Sequence, residues 1–142
     1  MSRPDKIGVR VVHGSEAGYA RALLSEIARL LDGLVSEGKE DAIDLRSLPI
    51  GPSDYEQLKA LLGQGEVQIS LQLMGPTEIW ETAYPGVWWV THHGPENEVT
   101  AERIEVSWIP EIVRSHPLDV KDGLERLKEN LRKGVTCDAK TS

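Results

Sequence analysis

The spacing of apolar residues changes twice along this chain, and this change limits the fold more than any other feature. Residues 20–35 carry apolar side chains at helical spacing, and Gly38 follows them as a natural helix end. Residues 66–73 instead alternate apolar and polar side chains, as a strand with one buried face does. Helical spacing returns between Val120 and Leu131. Helices that flank a block of strands are typical of an α+β fold.

Four successive strands are expected in the middle of the chain, over residues 66–73, 77–84, 87–90 and 102–109. Short turns join them, which favours an antiparallel meander. Before them, a two-turn helix is expected to begin at Ser53, with Glu56 completing a capping box, and to end at Gly63.

Together these elements predict a single α+β domain over residues 1–142, with its core at about residues 20–133. We expect a single antiparallel sheet, a meander of about four strands, that is covered on one face by about three helices. The end segments 1–6 and 135–142 are expected to be frayed because they have little to bury.

Residues that could hold a metal or act as a nucleophile are few and scattered. Cys137 is the single cysteine, which excludes a disulfide framework and a four-cysteine zinc site. His92 and His93 are adjacent, so on a strand they point to opposite faces. No phosphate-binding glycine loop and no nucleophile elbow occur in the sequence. The sequence therefore predicts no enzyme activity, no metal and no cofactor.

Two acidic pairs lie on the predicted strands, Glu78/Glu81 and Glu102/Glu105. Paired carboxylates can perform general acid–base chemistry. Solvated carboxylates at the edge of a strand are much commoner, and we interpret both pairs in that way.

Negative charge is concentrated in the middle of the chain. The formal net charge is −7, and residues 40–116 alone carry thirteen acidic against four basic side chains. Such a balance argues against general binding to nucleic acid. The acidic segment is interpreted either as a solvated face or as a docking field for a basic partner.

No apolar run reaches the ~18 residues that a membrane-spanning helix needs, so membrane insertion is not expected. The first ten residues also lack a signal-peptide hydrophobic stretch, so the expected location is the cytoplasm.

Aromatic residues cluster where the acidic residues do. All four tryptophans lie between positions 80 and 108, and the adjacent Trp88 and Trp89 must point to opposite faces of their strand. If helices cover only one face, one of these two side chains is left on the other face. We hypothesise a partner-binding surface formed by Trp80, Glu81, Thr82, Tyr84, Trp88 and Glu105. The alternative is that a second layer covers these residues.

The turn before Trp88 is expected at Pro85 and Gly86, which would set the direction of the following strand.

Four motifs in order resemble the C-terminal conserved region of the HupH/HyaF/HoxQ-type hydrogenase expression proteins. They are Ile43-Asp44-Leu45-Arg46-Ser47-Leu48-Pro49, then Gly63-x-Gly-Glu-Val67, then Glu81-Thr82-x-x-Pro85-Gly86-Val87-Trp88, then Ile104-Glu105-Val106-x-x-Ile109-Pro110. The resemblance runs from about Leu23 to Ile112. The string that ends at Trp88 is the most specific of the four.

The resemblance implies an accessory protein in the maturation of uptake [NiFe] hydrogenases. Family members resemble chaperones that hold the hydrogenase small subunit before export, and that subunit carries iron–sulfur clusters and a twin-arginine leader. A basic leader would complement the acidic segment. Family members are about twice as long as this chain, which is therefore expected to correspond to their C-terminal region.

Two other classes of function remain open. The chain could be a structural or dimerisation module of a larger hydrogenase-assembly complex, with other maturation proteins as further partners. Such a module could form a homodimer through an exposed sheet face or an edge strand. The chain could also carry a metal or an iron–sulfur cluster during assembly.

Overall fold

The computed structural model describes residues 11–134, and side chains from residue 18 onward. The chain divides into two compact units between Pro110 and Glu111, and each is described by itself. The predicted frayed segments, 1–6 and 135–142, lie outside the described residues. The extent of a single domain over 1–142 stays a prediction.

The first unit begins with a long helix, α1 (Val11–Glu37). Its buried side chains follow the predicted stripe: Ala20, Leu23, Ile27, Leu30 and Leu34. Val35 belongs to the predicted stripe but is exposed. Gly38 ends the helix with φ +69°, and its N–H donates to the Leu34 carbonyl at 2.9 Å.

The N-cap of the second helix, α2 (Pro52–Leu62), lies two residues earlier than the sequence indicated. Gly51 is its N-cap and Pro52 is its first residue, so the predicted capping box at Ser53 is wrong. Proline suits this position because its ring fixes a helical φ and the missing N–H would have no partner within the helix. Gly63 ends α2 with φ +68°, as expected.

The sheet has five strands, one more than predicted. They are β1 (Asp41–Asp44), β2 (Gln68–Gln72), β3 (Pro76–Glu81), β4 (Val87–His93) and β5 (Val99–Val106). All pairs are antiparallel, in the order β1-β5-β4-β3-β2. The four successive strands β2 to β5 form the predicted meander, and β1 extends it beside β5. The predicted fold class is confirmed.

Helices α1 and α2 pack on one face of this sheet, which we call the helix face. One apolar core joins side chains of both helices to four residues of the central strands: Val87 and Trp89 of β4, and Ile104 and Val106 of β5. Side chains of the opposite face are also buried, among them Ile79, Trp88 and Val90. The sheet is therefore shielded from solvent on both sides at its centre.

The second unit contains α3 (Pro117–Arg132). His116 caps it, because its Nδ1 accepts from the Leu118 N–H at 3.1 Å. The predicted apolar positions from Val120 to Leu131 share one side of the helix, and α3 buries none of its own side chains.

Candidate partner-binding surface and a buried carboxylate

The turn between β3 and β4 is a tight turn that is stabilised by a main-chain hydrogen bond and by the side chain of Thr82. The Tyr84 carbonyl accepts from the Val87 N–H at 3.0 Å, with Pro85 and Gly86 in the two central positions. Gly86 has φ +92°, as the third residue of a type II turn requires. The Thr82 hydroxyl accepts from the Tyr84 N–H at 3.1 Å. Thr82 is itself buried, so its role in this structure is to shape the turn.

This turn presents Tyr84 beside α1, at the edge of an apolar cavity. The Tyr84 side chain is 47% exposed. The cavity measures about 190 Å³ and is lined by Leu24, Ile27, Ala28, Leu31, Leu62, Tyr84 and Val87. An exposed phenol at the edge of an apolar cavity can bind an apolar side chain of a partner protein.

Trp80 lies on the helix face and is partly buried against the apolar core. Its ring stacks on Trp89, with centroids 5.4 Å apart and planes 5° from parallel. The ammonium of Lys59, on α2, lies 6.0 Å from the Trp80 centroid and 5.5 Å from that of Trp89. A second cavity, of about 520 Å³, opens beside this stack and is lined by Glu56, Lys59, Ala60, Gly63, Gln64, Gln68 and Trp80.

The two cavities meet the end of α2 at neighbouring residues. Leu62 lines the apolar cavity, and Gly63 lines the larger one. The accessible members of the predicted set, Trp80 and Tyr84, are thus placed on either side of the same helix end. We call the region formed by Trp80, Tyr84 and the two cavities the α2-end surface. Glu81 is partly accessible but lies opposite Trp88 in the β3–β4 pair, so its side chain is on the other face of the sheet.

A buried carboxylate lies at the centre of the aromatic cluster. Glu102 Oε2 accepts from the Tyr55 hydroxyl at 2.6 Å, from Trp89 Nε1 at 2.7 Å and from the Thr91 hydroxyl at 3.0 Å. Burial, together with the hydrogen bond to Glu102 and its charge, raises the pKa of Tyr55 well above its usual value. The interpretation of Glu102 as a solvated carboxylate is therefore wrong.

Two of the predicted contact residues on the sheet face opposite the helices, Trp88 and Glu105, are buried. Trp88 is only 6% exposed, and its Nε1 donates to the Ser107 carbonyl at 3.0 Å. Glu105, which faces Trp88 across the β4–β5 pair, is also buried and forms a 3.1 Å ion pair with Arg103. The expectation that these two side chains are exposed is wrong, because both faces of β4 are covered.

The structure therefore separates the six predicted residues into two groups. Trp80, Glu81 and Tyr84 remain at least partly accessible, whereas Thr82, Trp88 and Glu105 are buried. The most exposed tryptophan was not in the predicted set. Trp108 is 63% exposed, just past the last paired residue of β5. The sequence placed Trp108 on the apolar side of a strand that continues to Ile109, but β5 ends at Val106, so Trp108 lies beyond the paired residues.

Within residues 11–134, no group of three or more His, Cys, Asp or Glu side chains is placed to hold a metal ion. His92 Nδ1 lies 2.8 Å from the Thr77 hydroxyl, and burial, with the charge of Arg103, lowers the pKa of His92. None of the helices described is long and apolar enough to span a bilayer.

A model of the HupH hydrogenase expression protein, C-terminal conserved region, matches residues 18–133. The chain belongs to this family. The resemblance seen in the four motifs is confirmed, and the matched range includes every residue of the α2-end surface.

Curated relatives carry the same family of names. The chain is 33% identical over 88 residues to the hydrogenase expression/formation protein HoxQ of Azotobacter vinelandii, which covers 62% of this chain and 31% of that protein. It is 32% identical over 112 residues to the hydrogenase expression/formation protein HupH of Rhodobacter capsulatus, with 79% of this chain and 40% of the relative covered. The chain thus matches about a third of the length of these relatives.

A solved structure is similar over nearly its whole length. The hydrogenase expression protein HupH from Thiobacillus denitrificans superimposes with a TM-score of 0.78 at 41% identity. The match covers 82% of this chain and 97% of that one.

Proposed function

We propose that this chain acts in the maturation of a [NiFe] hydrogenase, as a non-catalytic accessory domain that binds the precursor of the small subunit in the cytoplasm. The observation that carries the proposal is family membership over residues 18–133. The relatives from Azotobacter vinelandii and Rhodobacter capsulatus are both hydrogenase expression/formation proteins by name.

The α2-end surface supports a binding role. Tyr84 and the apolar cavity of about 190 Å³ can receive one large apolar side chain. Its neighbour, the cavity of about 520 Å³ beside Trp80, is lined mainly by polar and charged side chains. An apolar anchor site next to a polar rim is the usual anatomy of a protein interface.

Charge supports a basic partner. Residues 40–116 carry thirteen acidic and four basic side chains, and Glu56 and Glu78 are exposed within this segment. Complementary charge accelerates association and selects partners. A leader that contains arginines and apolar residues would satisfy both the charge and the apolar cavity.

The test is capture of the small-subunit precursor, with and without its leader, by this chain as bait. Tyr84→Ala removes the accessible phenol but keeps the main-chain bonds of the turn. We expect it to weaken capture of the full precursor by at least about tenfold, as for a central interface anchor. Val99→Ala, an exposed apolar truncation on β5, is the matched control and should leave capture unchanged.

Each outcome has a distinct meaning. Capture that requires the leader and fails in Tyr84→Ala supports the proposal. Equal capture without the leader moves the contact to the body of the subunit and overturns the role of the leader. No capture by the folded wild-type chain would overturn precursor binding altogether.

A further inference from the structure

Strand β2 is an edge strand without the usual protection against pairing. Its sequence, Gln-Ile-Ser-Leu-Gln over Gln68–Gln72, contains no charge and no proline. Natural proteins usually protect an exposed edge with lysines, prolines, bulges or very short strands. The opposite edge fits that rule, because β1 has only four residues and an aspartate at each end.

The hydrogen-bonding groups of β2 alternate between its neighbour and its free edge. The Glu81 N–H donates to the Val67 carbonyl at 2.9 Å, and Ile69 lies opposite Ile79 in the same register. In an antiparallel ladder, every second residue directs both main-chain groups to the same neighbour. Ile69 and Leu71 therefore direct theirs to β3, and Gln68, Ser70 and Gln72 direct theirs outward.

The strand is also nearly a palindrome about Ser70. We propose that β2 pairs with β2 of a second copy of this chain, antiparallel and with a two-fold axis at Ser70. Gln68 then faces Gln72 of the second copy, and Ser70 faces Ser70. The outward groups of both strands form about six main-chain hydrogen bonds, and the two sheets join into one continuous sheet.

Side chains on both faces fit this register. On the helix face, the amides of Gln68 and Gln72 meet across the axis, and Ser70 is already held by a 2.8 Å hydrogen bond to Glu78. On the opposite face, Val67, Ile69, Leu71 and Leu73 form one row.

In the proposed dimer this apolar row runs antiparallel to the same row of the second copy. Each apolar side chain of one row therefore faces an apolar side chain of the other. Val67 faces Leu73 of the second copy, and Ile69 faces Leu71. Val67 and Leu73 are 40% and 61% exposed in the single chain. Pairing would remove their apolar surface from water, whereas a register shifted by one residue would place apolar against polar side chains. The strand is therefore complementary to itself in its main-chain hydrogen bonds and in its side chains. It also carries no charge that would repel a second copy.

Cysteine cross-linking tests the register. In a Cys137→Ser background, Ser70→Cys places two thiols on residues whose Cα atoms lie about 5.5 Å apart, within reach of a disulfide. Gln72→Cys is the matched control, because two copies of residue 72 would lie about 13 Å apart along the strands. We expect mild oxidation to cross-link Ser70→Cys and not Gln72→Cys. Equal cross-linking of both variants, or of neither, overturns the proposed register.

Sedimentation equilibrium tests the association itself. Ser70→Pro removes the outward N–H and the side-chain bond to Glu78, but no main-chain bond of the β2–β3 ladder. Ser70→Ala removes the same side-chain bond and keeps the N–H, so it isolates the effect of the lost main-chain donor. We expect Ser70→Pro to raise the dimer dissociation constant by at least about tenfold, with Ser70→Ala close to wild type. A wild-type chain that stays monomeric at every concentration overturns the proposal, as does a dimer that is unaffected by Ser70→Pro. A monomer in which Ser70→Pro instead abolishes precursor capture would show that an extended segment of the partner occupies this edge.

Discussion

At the scale of single residues, Glu102 links separate elements of the first unit by hydrogen bonds. Its three donors are Tyr55 on α2 and Trp89 and Thr91 on β4. They lie 47, 13 and 11 residues away in sequence, so no local spacing could predict them. A glutamate on a strand between Ala101 and Arg103 has the same local pattern whether it is solvated or buried. Only the tertiary arrangement distinguishes the two.

Replacing Glu102 with alanine would leave three donors without their acceptor. We expect Glu102→Ala to lower the free energy of unfolding by roughly 2–4 kcal/mol, because buried donors lose both water and partner. Denaturant melts followed by tryptophan fluorescence measure this loss. Glu96→Ala, which truncates an exposed glutamate in the β4–β5 loop, should change stability by less than about 0.5 kcal/mol. A similarly small change in Glu102→Ala would mean that the three bonds contribute little.

At the scale of elements, periodicity predicted those parts of the fold whose partners are close in sequence. The apolar stripe of α1 and the strands of the meander follow local patterns, and both are confirmed. The expected buried face over residues 66–73 is wrong at its ends, because Val67 and Leu73 are exposed. β1 was missed because four residues carry almost no periodic signal. It is ordered by pairing with β5, where Asp41 lies opposite Val106.

The candidate site was less predictable than the fold. Alternation correctly placed Trp88 and Trp89 on opposite faces, but the sequence could not show that both faces are covered. Trp88 and Glu105 are consequently buried, while Tyr84, at a turn, is accessible. A turn residue is exposed for a local reason, which is why sequence reasoning succeeds there and fails on the strands.

The β3–β4 turn gives a prediction at this scale. In Gly86→Ala, the new Cβ would lie 3.4 Å from Leu31 Cδ1, and φ +92° is strained for any residue with a Cβ. We expect a loss of about 1–2 kcal/mol in the free energy of unfolding, measured by thermal and chemical melts.

Gly33→Ala is the matched control for that measurement. Gly33 lies inside α1, and a Cβ there would meet nothing within 4 Å. It should raise stability by roughly 0.5–1 kcal/mol, since alanine favours a helix interior. If both substitutions had the same sign, helix propensity and turn geometry would not explain the effects.

At the scale of the whole molecule, charge acts in opposite directions on the two proposed associations. Two copies of a chain with net charge −7 repel each other at long range, although β2 itself is uncharged. A basic leader is instead attracted to the acidic segment. Salt screens both effects, because the Debye length shrinks from about 10 Å at 0.1 M to about 3 Å at 1 M.

Raising NaCl from about 0.05 to 0.5 M should therefore strengthen the dimer and weaken precursor capture. Sedimentation equilibrium and quantitative pull-down across the same salt series measure the two responses. Uncharged sucrose at matched osmolality is the control for effects of solute alone. If precursor capture did not weaken with salt, the contact would be mainly apolar, at the cavity beside Tyr84.

The stack of Trp80 on Trp89 also gives the first unit an optical property of its own. Two indoles 5.4 Å apart and nearly parallel are close enough for their excited states to interact. Their ultraviolet circular dichroism and emission are therefore those of a coupled pair of chromophores rather than of two independent tryptophans. Because one ring lines an open cavity and the other is fully buried, an occupant of that cavity would change the pair's spectrum without any added label.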